Sequence, residues 1–195
     1  MAAEIFVERL RVTYDRAKRD LPSWLHRPAI EEHAQNHEWM GPENRFVEGL
    51  RDVLLSWSDH DPSAAQAFVQ GLISDETEIL RRIGIHVLDR RWDKLKQIFS
   101  SIIGPQLFDD DHLHEVYGLL RHHFEALSKV EKLAIIKAIR QLTAPSDDEE
   151  ENRRLRRIQR KWLSSVAGKG YEPADTWFNA LNTDCTSIQG QEACT

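Results

Sequence analysis

Between Asp61 and Ala144 the chain repeats one pattern: a start signal, apolar residues at helical spacing, and a stop. That pattern restricts the fold more than any other feature, because a 3.6-residue apolar period cannot be seated on the pleat of a strand. Asp61-Pro62 pairs a capping side chain with a proline at the first helical position, where the missing N–H costs nothing. Ala65, Phe68, Val69, Leu72 and Ile73 form the face of that helix. Asp75 or Thr77 opens the next, with Ile79, Leu80, Ile83 and Val87; a break is expected around Asp89 to Asp93. Leu95, Ile98, Phe99 and Ile102 then continue the pattern to Gly104-Pro105. Asp109 to Asp111 put negative charge at the start of a helix carrying Leu113, Val116, Leu120 and Phe124. Ser128 and Glu131 have capping-box spacing, and Leu133, Ile136, Ile139 and Leu142 form the face that follows.

The flanks read less regularly. Residues 4–20 predict a helix with Ile5, Phe6, Leu10, Val12 and Tyr14 as its apolar positions. Pro22 and Pro28 open an irregular stretch over 22–43, closed by Gly41-Pro42 as a stop, with Asn44 as the next cap. Ser146 and Glu149 have the spacing of a second capping box. Its helix is acidic in the first turn, basic later, and striped by Leu155, Ile158, Trp162 and Val166; Gly168 and Gly170 end it. A last short turn is expected at 173–182, then a polar, flexible tail over 183–195. Helices of this length with short links predict an all-α chain with one domain over 1–182. Its expected form is stacked antiparallel helix hairpins of the HEAT-like α-solenoid kind, or an irregular helical bundle.

Composition narrows the function classes. A net charge of -6 gives no general attraction to nucleic acid or to anionic membranes. No apolar run approaches the roughly 20 residues that span a bilayer. Met1 to Leu10 lacks the basic and apolar regions of a secretory leader, so no membrane partner and a cytoplasmic location are expected. Cys185 and Cys194 are then free thiols rather than a disulfide framework.

Little of the chain reads as chemistry. His33 and His37 have ligand spacing but lack the glutamate of a zincin motif between them. His112, His114, Glu115 and His122 make the densest cluster of metal-ligand types, yet one helix cannot turn all four to one ion. His86, inside an apolar helix, reads as a core or groove residue. Nucleophile elbows and phosphate-cradling glycine loops are absent from the sequence, so no enzyme activity and no cofactor are expected. Candidates for partner contact remain. Trp24 and Trp39, with Arg27 nearby, have the residue types of interface anchors. Arg153, Arg156, Arg157, Arg160 and Lys161 make a basic face that can meet phosphates, although glutamates one turn earlier offer i,i+4 pairing.

Three groups of residues carry a resemblance. They are Arg27-Pro28-Ala29-Ile30-Glu31 with His33 and Gln35-Asn36; Ile79-Leu80-Arg81-Arg82-Ile83 with Ile85-His86; and His114-Glu115-Val116-Tyr117 with Leu119-Leu120, Phe124 and Leu127-Ser128. Over residues 22–144 the chain resembles the helical C-terminal regions of bacterial STAND-type NTPases and associated anti-phage defence proteins. The resemblance implies a sensor or scaffold array that binds a partner protein, with catalysis housed in a separate N-terminal domain. The expected function is thus a non-enzymatic protein-interaction module. The alternatives are a nucleic-acid-binding helical protein using residues 153–161, and a metal-dependent hydrolase around the histidines of 112–123.

Overall fold

The structure, a computed structural model, describes residues 2–17, 23–32, 36, 41–108, 113–142 and 147–192. Every regular element among the described residues is helical. The chain forms two compact units, one of Met1–Ile102 with Asp109–Leu119, the other of Ile103–Phe108 with Leu120–Thr195. Helix punctuation runs across that division without a mark, so the sequence offers no signal for it.

The first unit holds α1 (Ala2–Ala17), α2 (Ser23–His26), α3 (Pro42–His60), α4 (Pro62–Ile73), α5 (Glu78–Arg90), α6 (Trp92–Leu95), α7 (Phe99–Ile102) and the start of α8 (Leu113–His123). α1 packs on α3 and α5, and α4 packs on the same two helices. Leu10, Val47, Leu50, Leu54, Val69, Ile79 and Ile83 are fully buried between them. The Asp61 carboxylate accepts the Ala64 N–H at 3.1 Å, which is the cap expected there. α3 differs from expectation: it starts at Pro42, with Gly41 as its N-cap. The dipeptide that reads as a stop is a start, since proline tolerates the first helical turn as readily as it ends a helix. Asn44 is instead a buried first-turn residue. α5 ends at Arg90, within the expected break, with Arg91 as its C-cap, and short helical turns carry the chain to Ile102. At Gly84 a Cβ would stand 2.7 Å from Ile73 Cγ1, so the approach of α5 to α4 requires glycine. On α1 the structure buries Leu10 and Tyr14 but leaves Ile5 and Val12 exposed.

The second unit holds a 3-10 turn (Pro105–Phe108), the end of α8, α9 (Lys129–Gln141), α10 (Glu149–Leu163) and α11 (Glu172–Glu192). The capping box of α9 is formed in both directions, Glu131 N–H to Ser128 Oγ at 3.3 Å and Ser128 N–H to Glu131 Oε2 at 2.9 Å. The cap of α10 is Asp148, which accepts the Glu150 N–H at 2.8 Å; Ser146 lies outside the described residues. α10 ends at Leu163, short of the expected stop; Gly168 and Gly170 shape the turn that follows, with φ of 75° and 73°, in the left-handed region that favours glycine. Phe108 meets the buried Trp162 edge-on at 5.2 Å, and Ile135, Ile139, Leu163, Val166 and Ala174 complete the core. Leu133, expected on the buried face of α9, is exposed. The short turn expected at 173–182 is instead the start of α11, on which Cys185 lies; Cys194 is outside the described residues.

Candidate functional site

The irregular stretch predicted after Pro22 becomes, where it is described, a four-residue helix followed by non-helical chain to Glu32. Such chain has no internal ladder, so its buried backbone groups need partners from elsewhere. Three arginines supply many of them. Arg82, on α5, donates to the carbonyl oxygens of Arg27 at 2.8 Å and Pro28 at 3.1 Å. Arg27 folds back on the oxygens of Ala29 at 2.8 Å and Ile30 at 3.4 Å, and Arg51 reaches Ile30 at 3.0 Å. Asn36 closes the far end, accepting the Ala29 N–H and donating to the Glu31 oxygen.

Carboxylates balance that charge. Glu115, on α8, takes Arg82 in a two-point grip, Nε to Oε2 at 3.0 Å and Nη2 to Oε1 at 2.9 Å; both side chains are 1% exposed. Glu115 also accepts the Ile30 N–H at 3.3 Å. Glu78, at the start of α5, accepts both the N–H and the hydroxyl of Ser23, and that hydroxyl accepts from Arg82 at 3.0 Å. Glu48 accepts from Arg27 at 3.0 Å. Arg82 therefore spends its Nε and both Nη atoms on protein partners. A guanidinium so saturated has nothing left to offer an anionic ligand. The network is a clamp on backbone.

Two more buried groups border it. His86 stands one turn beyond Arg82 on α5 and is buried. Burial first, then the Arg90 charge, pushes its imidazole down to about 4, so it is neutral at pH 7. The Tyr14 hydroxyl is buried with no hydrogen-bond partner among the described residues, and burial raises it to about 12.

What the clamp leaves outside is the α2 turn. Trp24 is 45% exposed and Leu25 37% exposed, side by side on a helix whose first residue is tied to Glu78 and whose exit is tied to Arg82. A large aromatic on a rigid base is the arrangement of an interface anchor, because little rotamer or backbone freedom remains to be lost on contact.

The residues singled out from the sequence separate accordingly. Trp24 is on the surface, as an anchor must be; Trp39 lies outside the described residues. Arg27 must be corrected: it is 1% exposed and holds Ala29, Ile30 and Glu48, so it cannot touch a partner. Glu115 must be corrected too, since its carboxylate faces inward on Arg82 and is not available to a metal. His114 points outward beside Glu31 at 3.3 Å, as adjacent helical residues must diverge. His122 is exposed, while His112, His33 and His37 lie outside the described residues. On α10, Arg153 and Arg157 are exposed; Arg156, Arg160 and Lys161 are half-buried. Glu149 pairs with Arg156 at 2.6 Å and with Arg153 at 3.9 Å, which mutes the basic face from within its own helix.

Arg82, Glu78 and Ser23 were not among those candidates. A signal for one of them was present. Arg82 shares the i, i+3, i+4, i+7 register of Ile79, Ile83 and His86, which places a charge on the apolar face of a helix. Nothing in the sequence showed its partners, which stand 33 to 59 positions away.

No family model matches the chain, and comparison with curated proteins and with solved structures likewise gave no match.

Proposed function

We propose that the chain is a non-enzymatic protein-interaction module whose contact surface is centred on Trp24 and Leu25. The observation that carries this reading is the clamp: buried charges on two helices are committed to fixing one short irregular segment that exposes a tryptophan and a leucine. Desolvating charge on that scale contributes little net stability, so fixing the segment is its most evident use. A sensor or scaffold role in a bacterial defence protein is the context that the sequence resemblance supplies. Nucleic-acid binding through α10 is the weaker reading, given the ion pairs of Glu149.

The test is site-directed photo-cross-linking in the source cells, with a photoreactive residue at position 24 or, as control, at exposed Arg153. Position 24 should give one discrete protein adduct that Leu25→Ser abolishes. The same ladder from both positions, or none from position 24, removes the reading. A nucleic-acid adduct at position 153 alone would favour the alternative.

A further inference from the structure

α1 and α4 each pack on α3 and α5, and they face one another across a cleft of about 330 Å³. Its apolar lining is Val7 from α1, and Ala67, Phe68, Gly71 and Leu72 from α4. Glu4 and Glu8 stand on its α1 side, and an Arg11–Asp75 ion pair of 2.6 Å closes one end. Arg11 also bonds Glu8 at 2.7 Å, so two carboxylates share one cation there. The unit around the cleft is acidic as well, with 21 Asp and Glu against 14 Lys and Arg.

Gly71 is the informative residue. It lies inside α4, where glycine costs about 1 kcal/mol relative to alanine. Gly84 on α5 and Gly49 on α3 have an internal reason, since a Cβ at either would press on Ile73 or Phe6. At Gly71 a Cβ would meet nothing within 4 Å. Among the described residues nothing calls for the missing side chain, as is also true of Gly118 on α8; at Gly71 its effect is to keep the cleft open and let an outside body approach the α4 backbone.

We infer that the α1–α4 cleft is a docking groove for a cationic amphipathic helix of a partner protein. Residues 4–11 on one wall and 67–75 on the other run about 10 Å along their axes, which is two helical turns. An incoming helix would seat apolar side chains at i, i+3 and i+7 on Val7, Phe68 and Leu72. Its flanking Lys or Arg would meet Glu4 and Glu8. Ile5 and Val12, one heptad apart, are also exposed on α1, on the far side of Glu4 and Glu8 from Val7. This goes beyond the Trp24–Leu25 reading. It uses different helices and a defined partner chemistry, and a Trp24 variant leaves it untouched.

The experiment uses the full chain and a fluorescent peptide of about 15 residues, the length at which an isolated helix becomes marginal in water. The peptide carries a leucine stripe flanked by lysines; its twin carries glutamates in place of the lysines. Anisotropy should show saturable binding of the lysine peptide and at least about tenfold weaker binding of the twin. Gly71→Leu, which fills the groove while improving helix propensity, should weaken binding by at least about tenfold with an unchanged or higher melting temperature. Ala67→Arg, a second exposed position on the wall, should do the same by charge. Equal binding of both peptides, or full binding by both variants, overturns the inference. So does sedimentation showing a dimer of the unliganded chain that Gly71→Leu dissolves, because the occupant is then a second copy.

Discussion

The two units meet the same problem, a chain that must leave its helices and return, in opposite ways. In the first unit the segment after α2 is buried, and charged side chains from α3, α5 and α8 satisfy its backbone. In the second, the turn between α10 and α11 stays near solvent; two left-handed glycines make it and Asp175 caps the Gly168 N–H at 2.6 Å. The buried charged residues Arg27, Glu78, Arg82 and Glu115 all belong to the first unit, whereas the second is centred on Trp162, Phe108 and Phe124. A connection that stays wet needs only local turn chemistry. One that is buried needs distant charges, each desolvated and each paired.

That contrast can be broken, starting where the expected effect is largest. Glu115→Ala should cost about 3 to 5 kcal/mol, because it strands the buried Arg82 charge. Hydrogen exchange should then show amides 23–31 losing protection while α10 keeps its own. Equal loss in both units would mean that the clamp is not local. Replacing both partners, Arg82→Met with Glu115→Leu, should not restore protection as it often does for a simple buried pair. The oxygens of Arg27 and Pro28 and the N–H of Ile30 would still be orphaned.

Acid should separate the units next. The folded-state value of His86 is about 4, below its ordinary 6.5, so the unfolded chain binds more protons between those limits. The stability this group contributes is fully present above about pH 6.5 and is lost as pH falls toward about 4, to an extent of roughly 3 kcal/mol. Denaturant titrations of wild type and His86→Gln should converge across that window, with the loss located in the first unit. Parallel curves would show that His86 is not held neutral.

Smaller effects probe the second unit and one buried hydroxyl of the first. Ser128→Ala should cost about 1 kcal/mol, read as faster exchange at the start of α9, with amides 23–31 unaffected. Tyr14→Phe removes a buried hydroxyl that bonds to none of the described residues, so its melting temperature should stay level or rise slightly. A clear fall would reveal a partner for that hydroxyl.

Much of the local structure was legible because its causes are local. The Asp61 cap, the Ser128–Glu131 box and the break near Arg91 are written within a few positions of where they act. Legibility failed where two readings share one signal. Gly41-Pro42 marks a helix end or a helix start, and the position of Leu133 fits a buried face or an exposed one. At the site, Trp24 beside an irregular segment could be exposed or packed in the core, and the structure exposes it, while Arg27 misled because an arginine beside a tryptophan looks the same whether it faces a partner or its own backbone.

By itself, then, the sequence determined that this chain is helical and where most helices start, since caps, prolines and apolar periods act over a turn or two. The tertiary structure decided which charges are buried, that they hold residues 23–31, and that Val7 and Phe68 line one cleft across some 60 positions of chain. Those outcomes depend on which helices pack together. Packing energy belongs to pairs of surfaces that no local pattern names.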